Sequence, residues 1–253
     1  MPLISVIKNI ENTFRIYFPK RLKDHRNISK LLFNKKGIEI GGPTSNFERK
    51  GFLPIYQKIS NLDNVNFSNK TIWEGDLIEG SNFKFGNKIG KQFIREASDL
   101  TGISDSQYDF LISSHNIEHL ANPLKTIKEW KRVVKPNGLF LWIVPNKEGT
   151  FDHRRPITNI EHLIKDLEYN TGEEDETHFD EILELHDLTK DPGGLDFIDF
   201  KNRTLNNFEN RCAHHHVFNI DLLKNIADFS HIEILRLDKF SKMHLILFGK
   251  NLK

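Results

Sequence analysis

Seven of the chain's twelve histidines fall between His153 and His216, and three of them stand together as His214-His215-His216. A neutral imidazole accepts a proton near pH 7 and ligates divalent metals, so this stretch is the natural place to seek general-base chemistry. It offers His153, His162, His178, His186 and the triple run, and spacing does not choose among them. His178, His214 and His216 are the candidates for a catalytic base. In "DETHFDEILELHD", His178 and His186 lie two turns apart on roughly one side of a short helix, while His214 and His216 alternate on the strand-like "HHHVF". A divalent ion is conceivable there, but the tight ligand spacing of a zinc signature is missing and no metal is expected. Upstream, "GTFDHRRP" sets Asp152 beside Arg154 and Arg155, whose guanidinium groups suit bidentate contact with a phosphate or carboxylate of an acceptor. The plainer reading is a pair of solvated loop arginines.

A second pattern is "KKGIEIGGPTSNF", residues 35–47. A short apolar run encloses the carboxylate of Glu39 and stops at Gly41, Gly42 and Pro43. Glycines at a strand end let a ligand approach the backbone where no Cβ intervenes. A plain turn is the alternative.

These residues need a scaffold, and the apolar pattern supplies one. The runs "GIEI", "KISNLDNV", "QYDFLISS" and "LFLWIVPN" are separated by helix-length segments, which indicates a parallel, doubly wound sheet. The clearest helix is "NPLKTIKEWKRVVKPNG", with Pro123 in its first turn and Pro136-Asn137-Gly138 closing it. From about 148 to 213 the sequence turns polar and acidic, as an insertion rather than sheet would. Asn219 then caps "NIDLLKNIADF", and "HIEILRLDKF" with "KMHLILFGK" form two neighbouring antiparallel strands. Residues 1–34 place Ile4, Ile7, Ile10, Phe14 and Phe18 at helical spacing, an amphipathic segment suited to packing on the sheet or on a second subunit, so a homodimer is one arrangement for it. Loose association with a membrane surface is the alternative.

The glycine motif resembles the first motif of class I S-adenosylmethionine-dependent methyltransferases, and "SQYDFLISSHNIEHLANPLKTIKEWKRVVKPNGLFLWIVPN" is similar to that family's fourth strand, following helix and fifth strand. The resemblance covers roughly residues 35–147 and 214–250. It implies a Rossmann-like sheet of seven strands, mostly parallel with an antiparallel last strand, carrying a helical and loop insertion at 148–213 within a domain at 35–253. It also implies S-adenosylmethionine as cofactor. On the family's layout Glu39 accepts from the cofactor's cationic end, with Gly41, Gly42 and Pro43 beneath it. Asp63 accepts from the ribose hydroxyls, and Ala97, Ser98 and Asp99 border adenine. Ser114 and His115 follow the fourth strand on the cofactor side, and His119 of "EHL" stands near the acceptor or at a helix start. Pro43 and Ser45 replace later glycines of the usual pattern, which argues against a dinucleotide enzyme. Sequences with "EIGGP" and "DHRRP" are similar to methyltransferases of bacterial capsule, O-antigen and sugar clusters. That implies O-methylation of a surface-polysaccharide building block, sugar-, nucleotide- or phosphate-linked. A capsular phosphoramidate substituent as acceptor and a noncatalytic cofactor-binding partner subunit are the alternatives.

Composition narrows the partners. Thirty-six Lys and Arg balance 35 Asp and Glu, giving a formal charge of +1. Without a basic stripe, nucleic acid is not expected as a partner. The single Cys212 excludes an internal disulfide framework and fits a reducing cytoplasm. No run approaches a membrane span.

Overall fold

The computed structural model describes residues 20–252. The apolar positions from Ile4 to Phe18 lie outside the described residues, and the described part of that N-terminal segment carries a short helix, α1 (His25–Leu31). The chain then enters β1 (Lys36–Ile40), β2 (Asn61–Asn66), a small ribbon of β3 (Lys70–Thr71) and β4 (Gly75–Asp76), and the hairpin β5 (Gly80–Phe85) and β6 (Lys88–Ile94). β7 (Tyr108–Ser114), α2 (Pro123–Val133) and β8 (Val134–Pro145) follow. Residues from 147 to 213 contribute α3 (Ile160–Tyr169), α4 (Phe179–Leu185), α5 (Phe197–Leu205), α6 (Asn207–Asn210) and short 3-10 turns. The chain closes with α7 (Ile220–Phe229), β9 (Ile232–Phe240) and β10 (His244–Asn251).

The sheet runs β5-β6-β2-β1-β7-β8-β10-β9. β1 pairs in parallel with β2 on one side and β7 on the other, so the chain reverses direction across the sheet between β1 and β7. Ligands in open α/β sheets bind at the carboxyl ends of strands beside such a reversal. β10 lies antiparallel between β8 and β9. The fold is therefore the doubly wound one expected, with eight strands in place of the expected seven. The extra strand is β5, which pairs antiparallel with β6 and buries only Phe83 and Phe85.

Side chains alternate across the central strands. Ile38, Ile40 and Leu111 pack on one face with Trp130, Trp142 and Leu223, while Phe110 and Ile112 pack on the other with Tyr56, Phe47 and Leu32. Both faces being covered explains the near-continuous apolar runs that a one-sided sheet would not show. Helix starts are fixed by asparagines: Asn122, Asn159 and Asn219 accept from the backbone amides of Lys125, His162 and Leu222 at 3.0, 2.8 and 2.8 Å. The region after β8 has a small core of its own, formed by Phe179, Ile182, Phe200 and Ala213. Among the described residues no helix is long and apolar enough to cross a membrane.

Candidate active site

A cavity of about 430 Å³ opens where β1, β2 and β7 end. Its floor is Ile40 and Gly41 after β1, Val65, Asn66 and Phe67 at the end of β2, and Ser114, His115 and Asn116 after β7. Its far wall comes from the region after β8, through Phe151, Asp191, Arg203, Arg211, Cys212 and His214. Strand ends and the later helical region thus meet around one space.

Gly41 adopts φ +76°, and a Cβ added there would come within 3.0 Å of the Asn116 side-chain nitrogen. The left-handed backbone and the short approach both call for glycine. Gly41, Pro43, Ala97, Ser114, His115, His119 and His214 line the cavity.

Other expected site residues stand elsewhere. Glu39 is fully buried behind the glycine loop, where the Tyr56 hydroxyl donates to its two carboxylate oxygens at 2.9 and 2.8 Å. Burial raises its pKa to about 8 against the opposing Tyr56 hydrogen bond. It therefore braces the loop, since the Thr44 amide donates in turn to Tyr56 at 2.8 Å. Gly42 packs over that carboxylate: a Cβ would lie 2.2 Å from Glu39 Cδ, so this glycine makes room for Glu39 rather than for a ligand.

Asp63 sits mid-strand, paired across to Ile38. It accepts from the Tyr108 hydroxyl at 2.9 Å and the Lys91 amide at 3.0 Å. The second strand runs on past Asp63 to Asn66, so Asn66 and Phe67 hold the crevice edge instead. Ser98 and Asp99 lie outside the cavity lining, and the Asp99 carboxylate accepts from the Thr101 amide and hydroxyl.

Arg155 is a buried strut rather than an acceptor grip. Its guanidinium donates to Glu181, Asp152 and the carbonyls of His214 and His215 at 2.8, 2.9, 2.8 and 3.3 Å. Arg154 is exposed and pairs with Asp187 at 3.4 Å. Asp152 lies behind the wall, its Oδ2 2.5 Å from His214 Nδ1. His178 and His216 also lie off the cavity, beside His162.

Of the three candidate bases, His214 alone lines the cavity. Burial opposes its charge, but the adjacent Asp152 carboxylate prevails and raises its pKa. Burial likewise opposes ionisation of Asp152, yet His214 and Arg155 bring it down to about 2. His119 stands edge-on to His214 with ring centroids 4.6 Å apart, and burial together with His214 lowers its pKa to about 4. Its Nδ1 faces the Ala213 carbonyl at 3.1 Å. Glu118, His119 and His214 each bring one ligand-capable atom within 4.8 Å of the others, a grouping that could also hold a cation.

Residues 75–142 match the family model described as Methyltransferase domain, a segment running from β4 into β8. Among solved structures, an S-adenosylmethionine-dependent methyltransferase from Mesorhizobium loti is similar at 10% identity over 89% of this chain and 95% of that one, with a TM-score of 0.51. The matched segment is that of a methyltransferase domain, and the fold is the one this Mesorhizobium loti structure shows. A SAM-dependent methyltransferase from Aquifex aeolicus aligns over 98% of both chains at 14% identity and a TM-score of 0.49. No curated protein matches the sequence.

The cavity fits S-adenosylmethionine on its own chemistry. It combines the Gly41 cradle, which a Cβ would fill, with the aromatic side chains of Phe67 and Trp73 and the carboxylate of Glu74. Glu74 has no ion-pair partner among the described residues, and burial raises its pKa. Strand-period reasoning misses Asn66, Phe67, Trp73 and Glu74 because Asn66 ends β2 beyond its apolar run, Phe67 follows it, and the others sit in the turn between β3 and β4. Glu173, Asp191, Arg203 and Arg211 carry no signal beyond the polarity of their region.

Proposed function

We propose that the protein transfers a methyl group from S-adenosylmethionine to a hydroxyl of a sugar or related building block of a bacterial surface polysaccharide. The observation that carries this reading is the Asp152–His214 pair at the cavity wall. When bound, S-adenosylmethionine supplies an electrophilic methyl group on a sulfonium. Gly41, Pro43 and Ser114 would hold its methionine end, Glu74 its ribose hydroxyls, and Phe67, Trp73 and Ala97 its adenine.

The protein's own task is to position the acceptor and take its proton. His214 has Nδ1 engaged by Asp152, which leaves Nε2 to accept a proton from an attacking hydroxyl. Asp152 then stabilises the imidazolium that forms, and Arg155 fixes Asp152 in place. Residues 148–213 supply the acceptor side of the cavity. Arg211 lines that side, its guanidinium flanked by the Phe67 and Phe208 rings. Its two terminal nitrogens are held by Glu173 and Glu96 at 2.6 and 2.8 Å. The surface-polysaccharide assignment itself rests on the resemblance of "EIGGP" and "DHRRP" to enzymes of that kind.

The test has two stages. Calorimetry with S-adenosylhomocysteine should show binding to the folded protein, and its absence would end the proposal. Turnover is then followed with methyl-labelled cofactor across sugars, nucleotide sugars and sugar phosphates. Methylation confined to non-sugar acceptors would overturn the acceptor class.

A further inference from the structure

Away from the cavity, three histidines converge between the helices after β8 and the segment leading to α7. His162, His178 and His216 each present one ligand-capable nitrogen within 4.8 Å of the others. His162 Nε2 is 3.2 Å from His178 Nε2. A carboxylate joins them: Asp166 Oδ2 lies 3.4 Å from His162 Nε2 and 3.8 Å from His216 Nε2. Ligand atoms of a tetrahedral zinc ion with bonds of roughly 2.0–2.1 Å stand about 3.3–3.4 Å apart. These three separations match that edge length or depart from it by a few tenths of an ångström, and the remaining histidine pairs lie within 4.8 Å.

We propose that His162, Asp166, His178 and His216 form a structural site for one divalent transition-metal ion, with zinc preferred for its three imidazoles and one carboxylate. One buried atom of the cluster points to a partner beyond the cluster itself. Asp166 Oδ2 is inaccessible and makes no hydrogen bond, while His216 Nε2, the nitrogen that faces it, lies 3.3 Å from the Ala121 carbonyl. A cluster held by hydrogen bonds alone would pair such a group. The surroundings are arranged as for ligands. His162 and Asp166 are four residues apart on α3 and share a face. The Thr171 hydroxyl donates to Asp166 Oδ1 at 3.3 Å, which leaves Oδ2 turned to the histidines. The ion would tie α3 and the start of α4 to the segment that carries His214. No sequence signature announces the site because its ligands come from three separated stretches.

A neighbouring triad of Asp175, His178 and His215 shares one ligand with this set. It offers three donors where the proposed set offers four, and the experiment separates the two. Protein produced without a polyhistidine tag, loaded with zinc and desalted, is measured by inductively coupled plasma mass spectrometry. About one zinc per chain is expected, as for a folded structural site. Cobalt loading of the chelated wild-type protein should give the intense visible bands of a tetrahedral ion, a readout that needs no variant to fold. Loss of metal in His162→Ala/Asp166→Ala with retention in His215→Asn supports the assignment. Failure of folded wild-type protein to retain zinc or develop the cobalt bands overturns the site. Retention in His162→Ala/Asp166→Ala with loss in His215→Asn overturns it in favour of the neighbouring triad.

Discussion

Replacing Glu39 with Gln separates a cofactor contact from a buried brace. In the folded protein the carboxyl is fully buried and its pKa is raised from 4.5 to about 8, chiefly by that burial. A folded-state value above the unfolded one means stability that is complete below pH 4.5 and is lost as pH rises towards 8. Proton linkage is worth about 1.4 kcal/mol for every tenfold difference in acidity between the two states, so over this interval the wild-type protein should lose a few kcal/mol that Glu39→Gln keeps. Gln retains an acceptor for the Tyr56 hydroxyl while removing the charge. The assay is urea unfolding of both proteins from pH 5 to pH 9, with S-adenosylhomocysteine calorimetry at each end. The variant should gain on the wild type as pH rises, the difference flattening above pH 8, with ligand affinity preserved within a few-fold. A stability difference independent of pH, joined to a hundredfold or greater loss of affinity, would show that Glu39 is ionised and holds the cofactor, refuting the reading of the loop.

Gly41→Val should abolish S-adenosylhomocysteine binding and cost about 1–2 kcal/mol of stability, because a side chain at φ +76° is strained and meets Asn116; calorimetry and thermal unfolding read the two effects. Asp63→Ala should cost about 1–3 kcal/mol by orphaning the Tyr108 hydroxyl and Lys91 amide yet leave ligand affinity unchanged, and a loss of affinity with full stability would return Asp63 to the ribose site. His214→Asn should lower turnover by roughly 10²–10⁴-fold while binding S-adenosylhomocysteine normally, whereas near-normal turnover would shift the base to His119 or His115.

The sheet is legible in the sequence because its strands are covered on both faces and therefore read as apolar runs. β5 is not, because its "GSNFKF" buries two residues and exposes most of the others. The end of β2 is hidden for a related reason. "NVN" continues the strand with Asn64 and Asn66, which are buried yet polar, and their side chains bond to the glycine loop rather than to solvent: Asn64 Nδ2 and Asn66 Nδ2 both donate to the Gly42 carbonyl, at 2.9 and 3.2 Å. Polarity reads as a loop when the partner is out of view. Glu39 misleads in the opposite sense. Its position in the motif is clear, but Tyr56, which donates to it, lies seventeen residues on in a segment with no periodic pattern.

The candidate site divides the same way. Residues at strand ends, such as Gly41, Ser114 and His115, are placed by the sheet and follow from strand order alone. The far wall depends on how residues 148–213 close over the strands, and that closure is made by ion pairs between distant positions. Arg211 bridges Glu96, just after β6, to Glu173, after α3, while Arg203 of α5 holds Asp191 at 2.6 Å. Every one of these residues lines the cavity. The contacts that seat the wall on the scaffold are thus also surfaces an acceptor would touch. An acceptor that displaced a carboxylate from Arg211 would loosen the wall. The Arg211 Nε is itself buried, so an acceptor engages this wall without loosening it only through the remaining lone pairs of the carboxylates.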